Sequence, residues 1–185
     1  MSDTAYKIRR GELQTYFDRT AADKWVALTS NSPVSRIRAT VRAGREEMRN
    51  TLLSWLPQDL TGARILDAGC GTGMLAIAAA QRGAEVVAVD LSPALISVAV
   101  ERTPPDLGGG SVQYRSGDMS ATSLGGFDFV VAMDSFIHYP LDDIIGLLET
   151  YAPRVASSLL FTFAPKTPLL AAMHMTGKLF PRNDR

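Results

Sequence analysis

A glycine-rich segment near the middle of the chain carries the residues best suited to hold a ligand. An apolar run ends in Asp67, and Gly69, Gly71 and Gly73 follow at two-residue spacing before a helix-like segment. Glycines permit positive φ angles and let a ligand lie against bare backbone, and the start of a helix offers unpaired N–H groups to an anion. Seventeen residues after Gly73, a second apolar run ends in Asp90, where a ribose-binding carboxylate is expected in a βαβ unit. The segment therefore predicts a nucleoside-containing cofactor.

Spacing and charge discriminate between the possible cofactors. A G-x-G-x-x-G fingerprint counted from Gly69 would need glycine at position 74, which is Met74, and the Gly-Lys-Ser/Thr ending of a P-loop is absent from the segment. Asp67 at the mouth of the loop would repel a pyrophosphate, at a cost of roughly 4 kcal/mol for unit charges about 4 Å apart near a surface. A sulfonium or ammonium group would instead be attracted. S-adenosylmethionine carries both groups, and it is the predicted cosubstrate.

The loop, with the aspartate that ends the next apolar run, resembles the class I S-adenosylmethionine-dependent methyltransferases. The resemblance implies that Asp118, in the Gly-Asp-Met sequence after the third strand, accepts a hydrogen bond from the adenine amine and that Leu91 packs on the ring. We interpret Cys70 as a small thiol that fills the turn and not as a nucleophile. The cofactor-binding residues predicted in this way are Asp67, Gly69, Cys70, Gly71, Gly73, Asp90, Leu91, Asp118, Met119 and Met133.

His138 and Asp134 follow the fourth predicted strand, whose carboxyl end is expected to face the transferred methyl group. Asp134 fits either a residue of the methyl-transfer site or a helix N-cap. His138 could act as a general base for an amine or phenol, since its ordinary pKa is about 6.5. A carboxylate nucleophile is already ionised at neutral pH and needs only orientation.

The N-terminal pattern narrows the resemblance. Tyr16 and Phe17 followed by Trp25, with Arg42, Arg45 and Met48 on the next predicted helix and the Ser-Phe-Ile-His-Tyr-Pro segment around His138, resemble the magnesium-protoporphyrin IX O-methyltransferases of chlorophyll and bacteriochlorophyll synthesis. The resemblance implies that Tyr16 and His138 form a catalytic pair that orients one porphyrin propionate for attack on the methyl group. It also suggests contact with magnesium chelatase and peripheral association with a membrane.

Two other functions fit the same residues. One is an S-adenosylmethionine-dependent O- or C-methyltransferase of another small molecule, such as a quinone precursor, which would need His138 as a base. The other is a noncatalytic scaffold that binds the cofactor and a porphyrin without methyl transfer.

Composition bounds the remaining possibilities. The chain has 185 residues, with 46% apolar and 21% charged side chains and zero formal net charge, which is typical of one soluble globular domain. Residues 1–50 hold ten basic and six acidic side chains, too weak an excess for a nucleic-acid platform. A single cysteine, no apparent signal peptide and no apolar run long enough to span a membrane predict a cytoplasmic protein, and only the family resemblance adds peripheral contact with a membrane. The residue spacing predicts no metal site in the protein.

Apolar strands that alternate with helices predict an α/β fold, a Rossmann-like parallel sheet of the class I methyltransferase type. We expect a helical cap or lid over residues 1–57 and the cofactor-binding part over 58–185, in one structural unit. Helices are predicted at residues 11–28, 34–56, 72–82, 94–102, 142–151 and 169–180. Strands are predicted at 64–67, 85–90, 111–115, 127–133 and 155–163. The methyltransferase sheet normally has two further strands, and their apparent absence leads us to expect a chain truncated at its C-terminus.

Overall fold

A parallel sheet of five strands forms the centre of the computed structural model, which describes residues 3–18, 25, 26, 29 and 36–163. The strands are β1 (Arg64–Ala68), β2 (Glu85–Asp90), β3 (Ser111–Ser116), β4 (Phe127–Ala132) and β5 (Val155–Phe161). Their order across the sheet is β3-β2-β1-β4-β5. The chain therefore reverses its direction of travel between β1 and β4, and the crevice at their carboxyl ends is where such sheets bind ligands.

Successive residues of the strands serve opposite faces of the sheet, as the period of two in a strand requires. Ile65 belongs to a core cluster with the alanines of one helix, whereas Leu66 belongs to a second cluster that contains Phe136 and Tyr151. The side chains of Ile65 and Leu66 are both fully buried. Apolar layers on both faces explain why the strands are continuous Val/Ile/Leu-rich runs.

Five helices accompany the sheet within the described residues. They are α1 (Asp3–Tyr16), α2 (Arg36–Ser54), α3 (Met74–Ala80), α4 (Pro93–Arg102) and α5 (Leu141–Tyr151). Three short 3-10 turns add to them, at Thr122–Leu124, Phe136–His138 and Ala152–Arg154. Ser92 caps α4, since its side chain accepts a hydrogen bond from the Leu95 backbone N–H at 3.2 Å, with Pro93 at the first helical position, as the sequence predicts.

The parallel sheet and the class of fold are confirmed, and the strand bounds agree within two residues. The predicted start of the first helix at residue 11 is wrong, because α1 already begins at Asp3. Most of the rest of that prediction, over residues 19–28, lies outside the described residues. The early start of α1 is explained by Tyr6, which is buried and whose ring stacks on Tyr139 with 5.7 Å between the centroids. The two residues are too far apart in sequence for hydrophobic periodicity to reveal this contact. The predicted helix at 169–180 and any later strand lie outside the described residues.

The first two helices precede the sheet in the chain, as the predicted cap requires, and the division at residue 57 stays a prediction. In the described part of the chain, no helix is both long enough and apolar enough to cross a membrane.

Candidate active site

One cavity opens at the carboxyl ends of β1, β2 and β4, at the reversal point of the sheet. Its walls come from the glycine loop, from the loops after β2, β3 and β4, and from the helices α1 and α2. Eight of the predicted cofactor residues line it: Asp67, Gly69, Cys70, Gly71, Asp90, Leu91, Met119 and Met133. His138 lines the same cavity, so the predicted cofactor site and the predicted reaction site are continuous.

The glycine loop adopts the backbone that its sequence predicts. Gly69, Gly71 and Gly73 have φ angles of 86°, 53° and 77°, in the left-handed region. A methyl group on Gly69 would lie 2.4 Å from the Ser135 Cβ, and one on Gly73 would lie 2.5 Å from the Tyr114 hydroxyl oxygen. Gly71 is different, because no atom lies within 4 Å of the place where its Cβ would be. Gly73 therefore serves the packing of the loop, and it is not among the described lining residues.

Asp67 is a buried carboxyl group that is short of a partner. Its residue is 1% exposed, and its Oδ2 oxygen has no hydrogen-bond partner among the described residues. Burial, with a smaller contribution from the charge of Asp90, raises the pKa of Asp67 to about 7. A buried unpaired carboxylate is costly, and a cationic ligand in this cavity would supply the missing charge. The sequence predicted such an acidic residue at the mouth of the loop, where it would attract a sulfonium or ammonium group.

Asp90 organises the loop from the end of β2. Its Oδ2 accepts a hydrogen bond from the Gly71 N–H at 2.8 Å, and its Oδ1 accepts one from the Ser92 N–H at 2.9 Å. Burial raises the pKa of Asp90, and these backbone hydrogen bonds oppose the rise. Each carboxylate oxygen has a second lone pair, so the group can still accept from a ribose diol.

Asp118 holds the N-terminal helix. Its carboxylate accepts from the Tyr6 hydroxyl at 2.9 Å, pairs with Arg10, and accepts from the backbone N–H and hydroxyl of Ser120. Burial alone would raise the pKa of Asp118, but the hydrogen bonds from Ser120 and Tyr6 and the Arg10 charge bring it below its usual range. Asp118 is not among the described lining residues, although its neighbours Gly117 and Met119 are. Its contact with the adenine amine stays a prediction.

The segment after β4 gathers charged groups around His138. Asp134 has a φ angle of 54°, rare for a residue other than glycine, and its carboxylate pairs with Arg45 of α2. The alternative role of Asp134 as a helix N-cap is wrong, since Ser135 and Pro140 precede the two helical segments that follow. Burial lowers the pKa of His138 below its usual value, against the opposing effect of Asp134. His138 is therefore neutral at neutral pH.

The aromatic contact of His138 is with Phe17. The two ring centroids lie 5.2 Å apart in an edge-on arrangement, and Phe17 in turn contacts the Tyr16 ring at 5.2 Å. Tyr16 itself is 51% exposed and is not among the described lining residues. The structure thus brings Phe17, not Tyr16, against His138, and the catalytic pair of Tyr16 and His138 stays a prediction.

Three arginines that sequence reasoning did not place in the site line the cavity. Arg42, Arg45 and Arg49 lie on one face of α2, and the Arg45 guanidinium carbon lies 4.2 Å from the centroid of the Trp25 ring. In the sequence, Arg42 and Arg45 belonged to the family pattern, and the basic N-terminal segment suited an anionic substrate or a solvated helix face. Within the described residues, no cluster of three or more His, Cys, Asp or Glu side chains could hold a metal ion.

Comparison with known proteins identifies the family. A family model for the C-terminus of magnesium-protoporphyrin IX methyltransferases matches residues 132–185, and a general methyltransferase domain model matches residues 65–156. A magnesium-protoporphyrin O-methyltransferase of Rhodobacter capsulatus is 51% identical over 177 residues, which are 95% of this chain and 79% of the relative. The chain belongs to the magnesium-protoporphyrin O-methyltransferase family.

Solved structures agree with this membership. A crystal structure of magnesium protoporphyrin IX methyltransferase from Synechocystis with bound SAH superimposes with a TM-score of 0.82 at 29% identity, covering 94% of this chain and 80% of that one. A more distant family also matches in sequence. A ubiquinone biosynthesis O-methyltransferase of Xanthomonas oryzae is 34% identical over 134 residues, covering 67% of this chain and 54% of the relative.

The pH dependence of stability tests the state of Asp67. In the ligand-free protein its pKa of about 7 lies above the ordinary 3.8, so the folded state keeps a proton that the unfolded state releases. Its contribution to the free energy of unfolding is complete below pH 4 and falls as the pH rises to 7. We expect Asp67→Asn to raise the unfolding temperature relative to the unsubstituted protein more at pH 8 than at pH 5.

Thermal unfolding at the two pH values measures this effect, with the exposed Glu101→Gln as a control that shows no such difference. Equal shifts of Asp67→Asn at pH 5 and pH 8 would contradict the prediction. Calorimetry of the same variant should show weaker binding of S-adenosylmethionine.

Two glycine substitutions separate close packing from backbone strain in the loop. Gly69→Ala and Gly71→Ala both force a left-handed alanine, at a cost of about 1–2 kcal/mol, but only the methyl group at position 69 would meet Ser135. We therefore expect Gly69→Ala to lower the free energy of unfolding more than Gly71→Ala. Urea unfolding of both variants measures the difference, and equal losses would show that Ser135 moves aside without cost.

Proposed function

We propose that the protein transfers the methyl group of S-adenosylmethionine to a propionate oxygen of magnesium protoporphyrin IX. The products are the monomethyl ester and S-adenosylhomocysteine. Membership of the magnesium-protoporphyrin O-methyltransferase family supports the substrate, since the Rhodobacter capsulatus relative carries that name at 51% identity. The site supports the cosubstrate on independent physical grounds.

The observation that carries the proposal is the unpaired Oδ2 of Asp67 in the cavity that also holds His138. A cationic cosubstrate would be attracted to this carboxyl group, whereas a polyphosphate would be repelled by it. Asp90 at the end of β2 suits the ribose, and the open space at Gly71 lets a ligand approach the backbone. The residues present therefore fit S-adenosylmethionine.

S-adenosylmethionine supplies an activated methyl group: a new bond forms from the propionate oxygen to the methyl carbon, and the electrons of the broken bond stay on sulfur. No proton moves in this step, because a propionate is ionised at neutral pH. The protein needs to bind and orient the two reactants and to exclude water. A neutral His138 offers an N–H donor that can hold a carboxylate oxygen without the full charge of an imidazolium.

The activity assay distinguishes this substrate from the alternatives. Incubation with labelled S-adenosylmethionine and a panel of magnesium porphyrins and quinols should transfer label to the carboxylate of magnesium protoporphyrin IX. Preferred labelling of a quinol hydroxyl would favour methylation of a quinone precursor. The Xanthomonas relative is named for ubiquinone biosynthesis. Binding of both ligands without transfer would leave the scaffold function.

His138→Ala tests the role of the neutral imidazole. We expect kcat to fall by about 10²-fold, the scale of a misplaced reactant, with little change in the affinity for S-adenosylhomocysteine. With both substrates saturating, kcat of the unsubstituted protein should be nearly constant between pH 6.5 and 8.5, because the nucleophile is already ionised. A rate that rises through this range and loses that rise in His138→Ala would instead indicate a general base.

Tyr16→Phe tests the second predicted catalytic residue. The predicted pair requires a loss of kcat when the hydroxyl is removed, although the structure places Phe17 nearer to His138. Steady-state kinetics on this variant decide the matter, with Phe17→Leu beside it as a test of ring packing. Unchanged turnover in Tyr16→Phe would contradict the pair.

Partners and location follow from the family resemblance. We expect a cytoplasmic protein that contacts magnesium chelatase and the surface of a membrane. Cosedimentation with anionic liposomes and with purified chelatase subunits tests both contacts.

A further inference from the structure

The arginine row, defined as Arg42, Arg45 and Arg49 of α2, lines the same cavity as His138. Residues three, four and seven apart share one face of a helix, and seven residues span about 10 Å. The row is joined to the reaction site directly, because Arg45 pairs with Asp134 of the segment that carries His138. His138 and the row line the same cavity, so one large ligand could contact both.

Two arginines of the row are enclosed, and the acidic neighbour of Arg49 is itself largely exposed to solvent. Arg45 and Arg49 have side chains only 24% and 19% exposed. Asp134 compensates Arg45, and Arg49 has a 3.5 Å contact with Glu46, whose own side chain is 62% exposed. Enclosed cations are unfavourable unless they are paired with anions. The wall is thus suited to an anionic group of the ligand.

The proposed reaction supplies two carboxylates on one ligand, and only one of them reacts. Bidentate hydrogen bonds from an arginine would stabilise the negative charge on the reacting carboxylate and make its oxygens weaker nucleophiles. The other carboxylate has no such restriction, and a planar guanidinium matches its geometry well. The chemistry therefore assigns the neutral His138 and the charged row to different carboxylates.

We propose that the arginine row binds the non-reacting propionate of the porphyrin, with Arg49 as its principal contact, and so holds the other propionate toward the methyl group. This proposal rests on the proposed function. It gives the row a role in specificity: after one transfer, the free carboxylate of the product is the one that the row holds. The ester faces the methyl donor and is inert, so the reaction ends at the monoester.

Arg49→Gln tests the proposal with two substrates. One is magnesium protoporphyrin IX, and the other is its half-amide, in which the non-reacting propionate is a neutral amide of nearly the same size. In the unsubstituted protein we expect the KM for the half-amide to be at least about 10-fold higher than the KM for magnesium protoporphyrin IX. This is the effect expected from the loss of one charge-assisted hydrogen bond. In Arg49→Gln the two KM values should become similar. Arg49→Lys, which keeps the charge without the fork, should restore part of the difference.

Two further measurements complete the test. Arg9→Gln removes a charge from exposed α1 and should leave both KM values unchanged. Product analysis of Arg49→Gln should show more diester than the unsubstituted protein forms. An equal rise of KM for both substrates in Arg49→Gln, or equal KM values in the unsubstituted protein, would overturn the role of the row. Failure of the proposed function would look different, because neither porphyrin would then be methylated.

Discussion

The burial of the Asp67 carboxyl group without a full set of partners is the constraint around which the site is built. A carboxyl group buried at the end of a central strand is poorly solvated, so its pKa rises to about 7. The glycine loop offers the Oδ2 of Asp67 no donor, because the Gly71 N–H is bonded to Asp90. A cationic ligand in the cavity would favour the charged form of Asp67 and lower its pKa.

Two salt bridges then connect the helices at the start of the chain to the ends of the strands. Arg10 of α1 pairs with Asp118 after β3, and Arg45 of α2 pairs with Asp134 after β4. Each pair joins a helix to a loop that borders the cavity, so the two helices form walls of the site and not a separate layer. The chemistry of the two walls differs. The strand ends bring carboxylates to the cavity, whereas α2 brings arginines.

The parts of this arrangement that sequence could predict are those set by neighbours in the chain. The glycine loop, Asp67, Asp90 and the Ser92 cap follow from local backbone rules, and each lies where the sequence predicted. The start of α1 and the contact of Phe17 with His138 did not follow, because pairing across more than a hundred residues decides them. Tyr16 and Phe17 are adjacent aromatic residues, and sequence alone could not tell which of them would reach the histidine ring. The arginine spacing was visible, but only the fold shows that these side chains line the same cavity as His138.

The anchoring of α1 also constrains biosynthesis. Its two polar contacts with Asp118 join residues 112 and 108 positions apart, so this helix leaves the ribosome long before its partner exists. During that interval Tyr6, which ends up buried against Tyr139, has no native surface to cover it. Contacts of such high sequence separation form slowly, and a nascent chain that exposes them is prone to misassociation. The N-terminal helix is therefore the element whose docking we expect to finish folding, and the segment most in need of chaperone protection while translation continues.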